Sequence, residues 1–125
     1  MQDTAKAVYG FFSGFGIPAY AQDAVPDDAE LPYITYYLQE PEWSRQASGY
    51  AQVWYPSRNR AKLNELTDMI VREIGSEGTL LGCDNGGYVM IRPETPLVSP
   101  AASGEDKTIG NLVNFILNAY HMPGM

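Results

Sequence analysis

The sequence is poor in the residues that carry most enzyme chemistry and most metal binding. It holds one cysteine, Cys83, and one histidine, His121, among 125 residues. A single cysteine excludes an intramolecular disulfide and a multi-cysteine zinc site. The chain also lacks an apolar run of the ~18 residues that a membrane span needs, and its N-terminus lacks the basic flank and apolar core of a secretory signal. We therefore expect a protein made and folded in a reducing cytoplasm, with no membrane partner.

Basic residues are also scarce, and they are unevenly placed. Lysine and arginine total 8 against 15 aspartates and glutamates, which gives a net charge of −7. Specific binding to nucleic acid is therefore disfavoured, because it needs a basic footprint. Residues 1–42 carry seven carboxylates and one lysine, whereas residues 43–72 carry five basic side chains and two carboxylates. This segregation suits head-to-tail self-association, although on its own it favours two ordinary solvated surfaces.

What the chain does contain is enough apolar residues for one core. Hydrophobic residues make up 45% of the sequence, and nine residues are tyrosine. A chain of this length and composition predicts one folded domain over residues 1–125.

Two segments have helical periodicity. Residues 3–15 place apolar side chains on one stripe, and residues 58–75 do so more strongly, with Ser57 as a candidate N-cap and Gly75 as the stop. The predicted buried stripes are Val8, Phe11, Phe12 and Phe15 in the first helix and Leu63, Leu66, Ile70 and Ile74 in the second.

Four segments carry strand signals. Residues 33–38 and 49–57 are β-branched and aromatic, and residues 79–93 resemble a hairpin around the turn 84–87. The Pro- and Ser-rich segment 95–106 predicts a loop. Residues 108–120 fit either a helix or a strand: periodicity slightly favours a helix, but three asparagines weaken that preference. The order of elements predicts an α+β fold with a mainly antiparallel sheet.

The segment 16–31 predicts an extended acidic loop. Pro18, Pro26 and Pro32 each fix φ and remove a backbone donor, so the chain cannot form an interior strand before residue 33. Loops of this length in a compact domain are usually functional or mobile.

Candidate catalytic groups are few. Cys83 and His121 could pair as nucleophile and base, but Cys83 lies in an apolar, β-prone run typical of a core cysteine. Asp27 and Asp28 could bind a metal, yet no further ligand has suitable spacing, and a solvated turn explains them better. We therefore predict no catalytic residue, no metal site and no cofactor.

Four segments, in this order and with these gaps, resemble a known family. They are "FFSGFGIPAY", "VPDDAELPYITYYL", "IRPETP" and "DKTIGNLVNFILNAY". Together they are similar to tail terminator proteins, also called tail completion or minor structural proteins, of long-tailed phages and prophages of Firmicutes. The resemblance spans about Lys6 to Tyr120 and is most specific over residues 12–38. It implies an antiparallel sheet flanked by two helices, with 108–120 as a strand.

The resemblance also implies a non-catalytic function. Tail terminators form a ring, usually hexameric, on the last ring of the tail tube, where they stop tube growth and receive the connector or head-completion proteins. DNA would pass the lumen without specific binding, since carboxylates around the channel would repel it. We expect the intersubunit or tube contacts to come from the proline-pinned loop and the basic segment, through Ile17, Pro18, Tyr20, Val25, Pro26, Asp27, Asp28, Arg58 and Arg60. The alternatives are a head-completion or neck protein and a small-molecule-binding α+β domain.

Overall fold

The computed structural model describes residues 2–39, 46–83, 87–101 and 107–120. Two α-helices and six β-strands follow one another along these residues. In chain order they are α1 (Gln2–Ser13), β1 (Ala19–Ala21), β2 (Tyr33–Gln39), β3 (Gln46–Pro56), a 3₁₀ turn (Ser57–Asn59), α2 (Arg60–Ile74), β4 (Thr79–Gly82), β5 (Tyr88–Ala101) and β6 (Thr108–Tyr120).

The described strands form one sheet in the order β1-β2-β3-β6-β5-β4. β1 and β2 run parallel, and every other neighbouring pair is antiparallel. The predicted α+β fold with a mainly antiparallel sheet and two helices is therefore confirmed. The two longest pairings join β6 to β3 and to β5, so the last strand of the chain lies at the centre of the sheet.

β6 resolves the ambiguity of the segment 108–120 in favour of a strand. Val113, Phe115 and Leu117 alternate along it and are fully or almost fully buried under the helices. Its asparagines are held by specific partners: Asn111 donates through Nδ2 to Thr67 Oγ1 of α2 at 3.1 Å. Pairing on both edges and side-chain hydrogen bonds override the weak helical periodicity, because sheet preference depends on the neighbouring strands.

Both helices pack on the same face of the sheet. In α1, Val8 and Phe12 are fully buried, and the Phe12 ring lies 5.9 Å from the Tyr36 ring and 5.7 Å from the Phe115 ring. The remaining members of its predicted stripe, Phe11 and Phe15, pack partly buried against the core. The predicted stripe of α2 is buried in full. The opposite face carries no helix within the described part of the chain.

Two segments predicted as loops contain strands. Within 16–31, Ala19–Ala21 form β1, which pairs only with β2 and so occupies an edge of the sheet. Within 95–106, residues 95–101 belong to β5, whose pairing with β6 is irregular between Pro93 and Val98. β4 pairs with β5 only as far as Ile91, so the proline-containing part of β5 has a free outer edge among the described residues. Edge strands tolerate proline, because one row of their backbone donors has no partner strand.

The ends of α2 confirm one prediction and correct another. Gly75 ends the helix with φ of 76° and donates its N–H to the Val71 carbonyl at 3.0 Å. Ser57 is not the N-cap, because Ser57–Asn59 form a 3₁₀ turn and Asn59 precedes the helix. Asn59 makes no side-chain cap hydrogen bond. Of the predicted turn 84–87, residues 84–86 lie outside the described residues, and beside them the Cys83 N–H donates to the Gly87 carbonyl at 2.9 Å.

Two glycines in the sheet make room for aromatic rings from a neighbouring strand. A Cβ on Gly110 would lie 2.5 Å from the Trp54 ring, and one on Gly49 would lie 2.9 Å from the Phe115 ring. The two rings lie on opposite faces of the sheet, because Trp54 and Phe115 have opposite orientations in the register. Each glycine therefore lets an aromatic side chain lie flat across its backbone.

Replacing Gly110 with alanine should therefore destabilise the fold. We expect Gly110→Ala to lower the free energy of unfolding by about 1–3 kcal/mol, because the Trp54 ring must shift to admit the methyl group. Urea denaturation followed by circular dichroism measures this. The matched control is Gly10→Ala in α1, where nothing lies within 4 Å of the added Cβ; it should raise stability by about 0.5–1 kcal/mol. Equal effects of the two substitutions would contradict this packing.

Two buried tyrosines make the fold sensitive to high pH. Burial raises the pKa of Tyr36 above its ordinary 10.0, with smaller contributions from Tyr9 and Asp23. Burial, with a smaller contribution from Glu65, likewise raises the pKa of Tyr55. Above pH ~10 the unfolded chain releases these protons first, so the stability that the two neutral phenols provide is lost as pH rises through their folded pKa values.

We therefore expect the free energy of unfolding to fall above pH ~10, by up to about 1.4 kcal/mol per pH unit for each phenol. Tyr55→Phe should remove part of this slope, because phenylalanine has no proton to release. Urea unfolding of both proteins at pH 8, 10 and 11 provides the test. At pH 8 both phenols are neutral in either state, so neither of them contributes to the pH slope there. Identical slopes at pH 10–11 would refute the assignment to Tyr55.

Candidate functional site

The helix-free face of the sheet is lined by polar and aromatic side chains. Since side chains alternate along a strand, Ile34, Tyr36 and Val53 point to the helices, and the residues between them point the other way. Rings from adjacent strands meet on this face: Tyr37 lies 5.4 Å from Tyr50, and Tyr20 of β1 lies 5.8 Å from Tyr33. The Tyr37 ring is 45% exposed. This face is thus the larger uncovered surface of the described sheet.

The acidic loop, residues 22–31, leaves the end of β1 and returns to the start of β2. At its start the Gln22 N–H donates to the Tyr36 carbonyl at 2.9 Å, and Tyr50 Oη donates to Gln22 Oε1 at 2.5 Å. Further along, the Ala29 N–H donates to the Pro26 carbonyl at 3.0 Å, closing a turn around Asp27 and Asp28. The loop is therefore held by its own sheet at its base and presents a turn at its tip.

A cleft of about 620 Å³ lies between this loop and the helix-free face. Its walls come from the acidic loop, the starts of β2 and β6 and the end of β3. They are formed by Gln22, Pro26, Asp27, Ala29, Glu30, Leu31, Tyr33, Thr35, Gln52, Trp54 and Thr108. None of these residues is basic, and two are carboxylates, so the cleft favours a positively charged group.

The floor of the cleft is a chain of hydrogen bonds between buried or half-buried side chains. Trp54 Nε1 donates to Thr35 Oγ1 at 3.1 Å, and Thr35 Oγ1 donates to Gln52 Oε1 at 3.2 Å. Trp54 and Thr35 are 9% and 5% exposed. Because the indole N–H and the threonine hydroxyl each have an acceptor, these two side chains are held in place within the subunit itself.

Three of the predicted contact residues lie at the edge of the sheet. Ile17 packs partly buried against the core, and the Pro18 carbonyl accepts the Ile34 N–H at 2.9 Å. Tyr20 is half-buried on β1. These residues hold the loop to its own subunit, and their role in contacts between subunits stays a prediction.

The other predicted contact residues are more accessible. Pro26, Asp27 and Asp28 are exposed at the tip of the acidic loop, and Val25 beside them is half-buried. Arg58 and Arg60 are also exposed, in the 3₁₀ turn and at the first residue of α2. The structure thus places Pro26 and Asp27 in the cleft, and neither of the two arginines lines it.

The structure brings no catalytic group together in the described residues. Cys83 is half-buried and packs against the core, and His121 lies outside the described part of the chain. The described residues contain no group of three His, Cys, Asp or Glu side chains that could hold a metal ion. Their helices include none with the length and hydropathy to cross a bilayer.

The hydrogen-bonded floor of the cleft is not evident from local sequence patterns. The sequence indicates a strand for each of Thr35 and Trp54, and core packing or subunit contacts for the indole, although both residues occupy alternate positions that face away from the core. That alternation was the available signal, since a polar residue and an indole on the solvent side of neighbouring strands can meet.

Comparison with known proteins leaves the family of this chain open. No protein-family model matches the sequence, and no curated protein matches it significantly.

Proposed function

We propose that this chain is a structural virion protein that caps the phage tail tube as a ring of identical subunits. In this role it ends tail growth and forms the tail side of the head–tail junction. Its partners are further copies of itself, the tail tube protein and the connector or head-completion proteins. The chain acts by surface complementarity and not by turnover of a substrate.

The observation that carries this proposal is the one-sided packing of the sheet. Two helices bury one face, while the other face keeps exposed aromatic rings and an acidic loop with accessible turn residues. Aromatic side chains suit protein interfaces, because they bury large areas at a small cost in side-chain entropy. The resemblance of residues 6–120 to tail terminators supports the same proposal, as does the α+β fold that it led us to expect.

A small-molecule-binding domain is the second candidate, and the cleft is the observation that favours it. Its volume of about 620 Å³ falls within the range of ligand sites. Its walls are largely polar, however, and much of its rim consists of exposed loop residues, which suits a protein partner better than an apolar ligand. A stabilising metabolite found by thermal-shift screening would favour this candidate, since a ligand at 100 times its Kd stabilises by about 2.7 kcal/mol.

Deleting the gene from the phage or prophage that encodes this chain tests the first proposal. We expect tails of abnormal, mostly excessive length and heads without tails, because nothing ends tube growth or connects the two parts. Negative-stain electron microscopy of lysates measures both. Supplying the wild-type chain in trans should restore normal particles.

Binding assays with purified components distinguish a tail terminator from a neck protein. Added to isolated headless tails, the chain should bind the tube end and render those tails competent to join heads. Virions of normal length joined to heads in the deletion strain would refute the proposal, and binding to tailless heads alone would identify a head-completion protein instead.

A further inference from the structure

We propose that the cleft beneath the acidic loop receives the basic start of α2 from a second copy of this chain. The basic start of α2 is defined here as Arg58, Arg60 and Lys62. This inference rests on the proposed function, of which it would supply the subunit interface, but it can be tested without tails.

The charged side chains that line the cleft are acidic. Asp27 and Glu30 contribute to its walls, and no lysine or arginine does. Asp23 and Asp28 lie on the same loop, and residues 7–44 contain no basic side chain. Carboxylates are the only charged side chains among the described residues that line the cleft, with Lys107 next to Thr108 as the nearest cation in sequence, so the cleft favours a cationic occupant.

A cationic occupant of the cleft would meet both aromatic rings and carboxylates. The rings of Tyr33 and Trp54 and the carboxylates of Asp27 and Glu30 contribute to the same cleft. A guanidinium group suits this combination, since it stacks on an aromatic face and gives two parallel hydrogen bonds to a carboxylate.

The start of α2 carries charges that are unfavourable for the helix, and the fold of a single subunit does not explain them. The first turn of this helix contains no acidic residue, and its N-cap, Asn59, makes no side-chain hydrogen bond. Arg58, Arg60 and Lys62 are all exposed there. Cations at a helix N-terminus meet the positive end of the helix dipole, which costs a few tenths of a kcal/mol or more for each charge. Proteins keep such locally unfavourable choices mainly where function requires them.

The sheet lies between the cleft and α2. The cleft lies on the helix-free face, and α2 packs on the opposite face, where Asn111 of β6 bonds to Thr67 of α2. The cleft of one subunit therefore opens on one face of its sheet, and the helix that carries Arg60 and Lys62 packs on the other. Copies stacked face to back bring the two together in a heterologous contact, which continues from subunit to subunit and closes if the rotation allows it.

A charge-swap experiment tests this pairing. The loop variant carries Asp27→Lys with Glu30→Lys, and the helix variant carries Arg58→Glu with Arg60→Glu. Self-association is measured by sedimentation velocity in low salt over a range of concentrations. We expect each variant alone to self-associate at least tenfold more weakly than the wild type, because its two surfaces now have the same sign. An equimolar mixture should recover association, because each reversed surface finds its complement.

The matched control is Glu73→Lys with Glu77→Lys, which changes the net charge as much as the loop variant does but at exposed sites away from the cleft. It should associate like the wild type. All substituted residues are exposed, so circular dichroism and urea unfolding should show native folds. Wild-type association should also weaken with added salt, a measurement that needs no variant.

Several outcomes would overturn the inference. These are a wild-type protein that stays monomeric at its solubility limit in low salt, variants that associate like the wild type, and a mixture no heavier than its components. Capping of tail tubes by a protein with any of these behaviours would leave the proposed function standing. Conversely, recovery of association in the mixture together with normal virions after gene deletion would keep the interface and reject the function.

Discussion

Both helices pack on one face of the sheet, and this determines which side chains the two faces of the sheet can carry. The interdigitation of Phe12, Tyr36 and Phe115 joins α1 to β2 and β6, and the buried stripe of α2 covers the neighbouring strands. This arrangement uses most of the large apolar side chains on one side. The other side carries tyrosines, Gln52 and one indole with a satisfied N–H, together with the half-buried Leu112 and Ile116 of β6.

Local patterns predicted some elements well because those elements are defined locally. The stripe Leu63, Leu66, Ile70 and Ile74 follows one helical period and is buried as a unit. Residues 33–38 are dense in β-formers and form most of β2. Gly75 ends α2 because its positive φ suits glycine, which the sequence alone indicates.

Local patterns could not predict other elements, since what decides them lies far away in the chain; for β6 the family resemblance, and not the periodicity, implied a strand. β6 is a strand because β3 and β5 supply partners on both of its edges. β1 and the distal half of β5 were read as loops because proline is a local signal against strands, whereas tolerance of proline depends on occupying an edge. The cleft likewise depends on contacts between residues that lie far apart in the sequence. The alternation that turns Thr35 and Trp54 outward is visible in the sequence, but that the acidic loop folds over them follows only from the hydrogen bonds of Gln22 to Tyr36 and Tyr50.

The state of the acidic loop before association bears on how the proposed interface would work. A loop that is ordered only on contact subtracts its ordering entropy from the binding free energy, at about 1–2 kcal/mol for each residue fixed. Here the loop is already attached to its own sheet at Gln22, closed by a turn at Ala29 and limited in φ by its prolines. Most of that entropy is therefore lost during folding, and the carboxylates and the aromatic floor face a partner as a preformed site. In the proposed interface, the residues that restrict the loop within one subunit would therefore let a second subunit bind it at little further entropic cost.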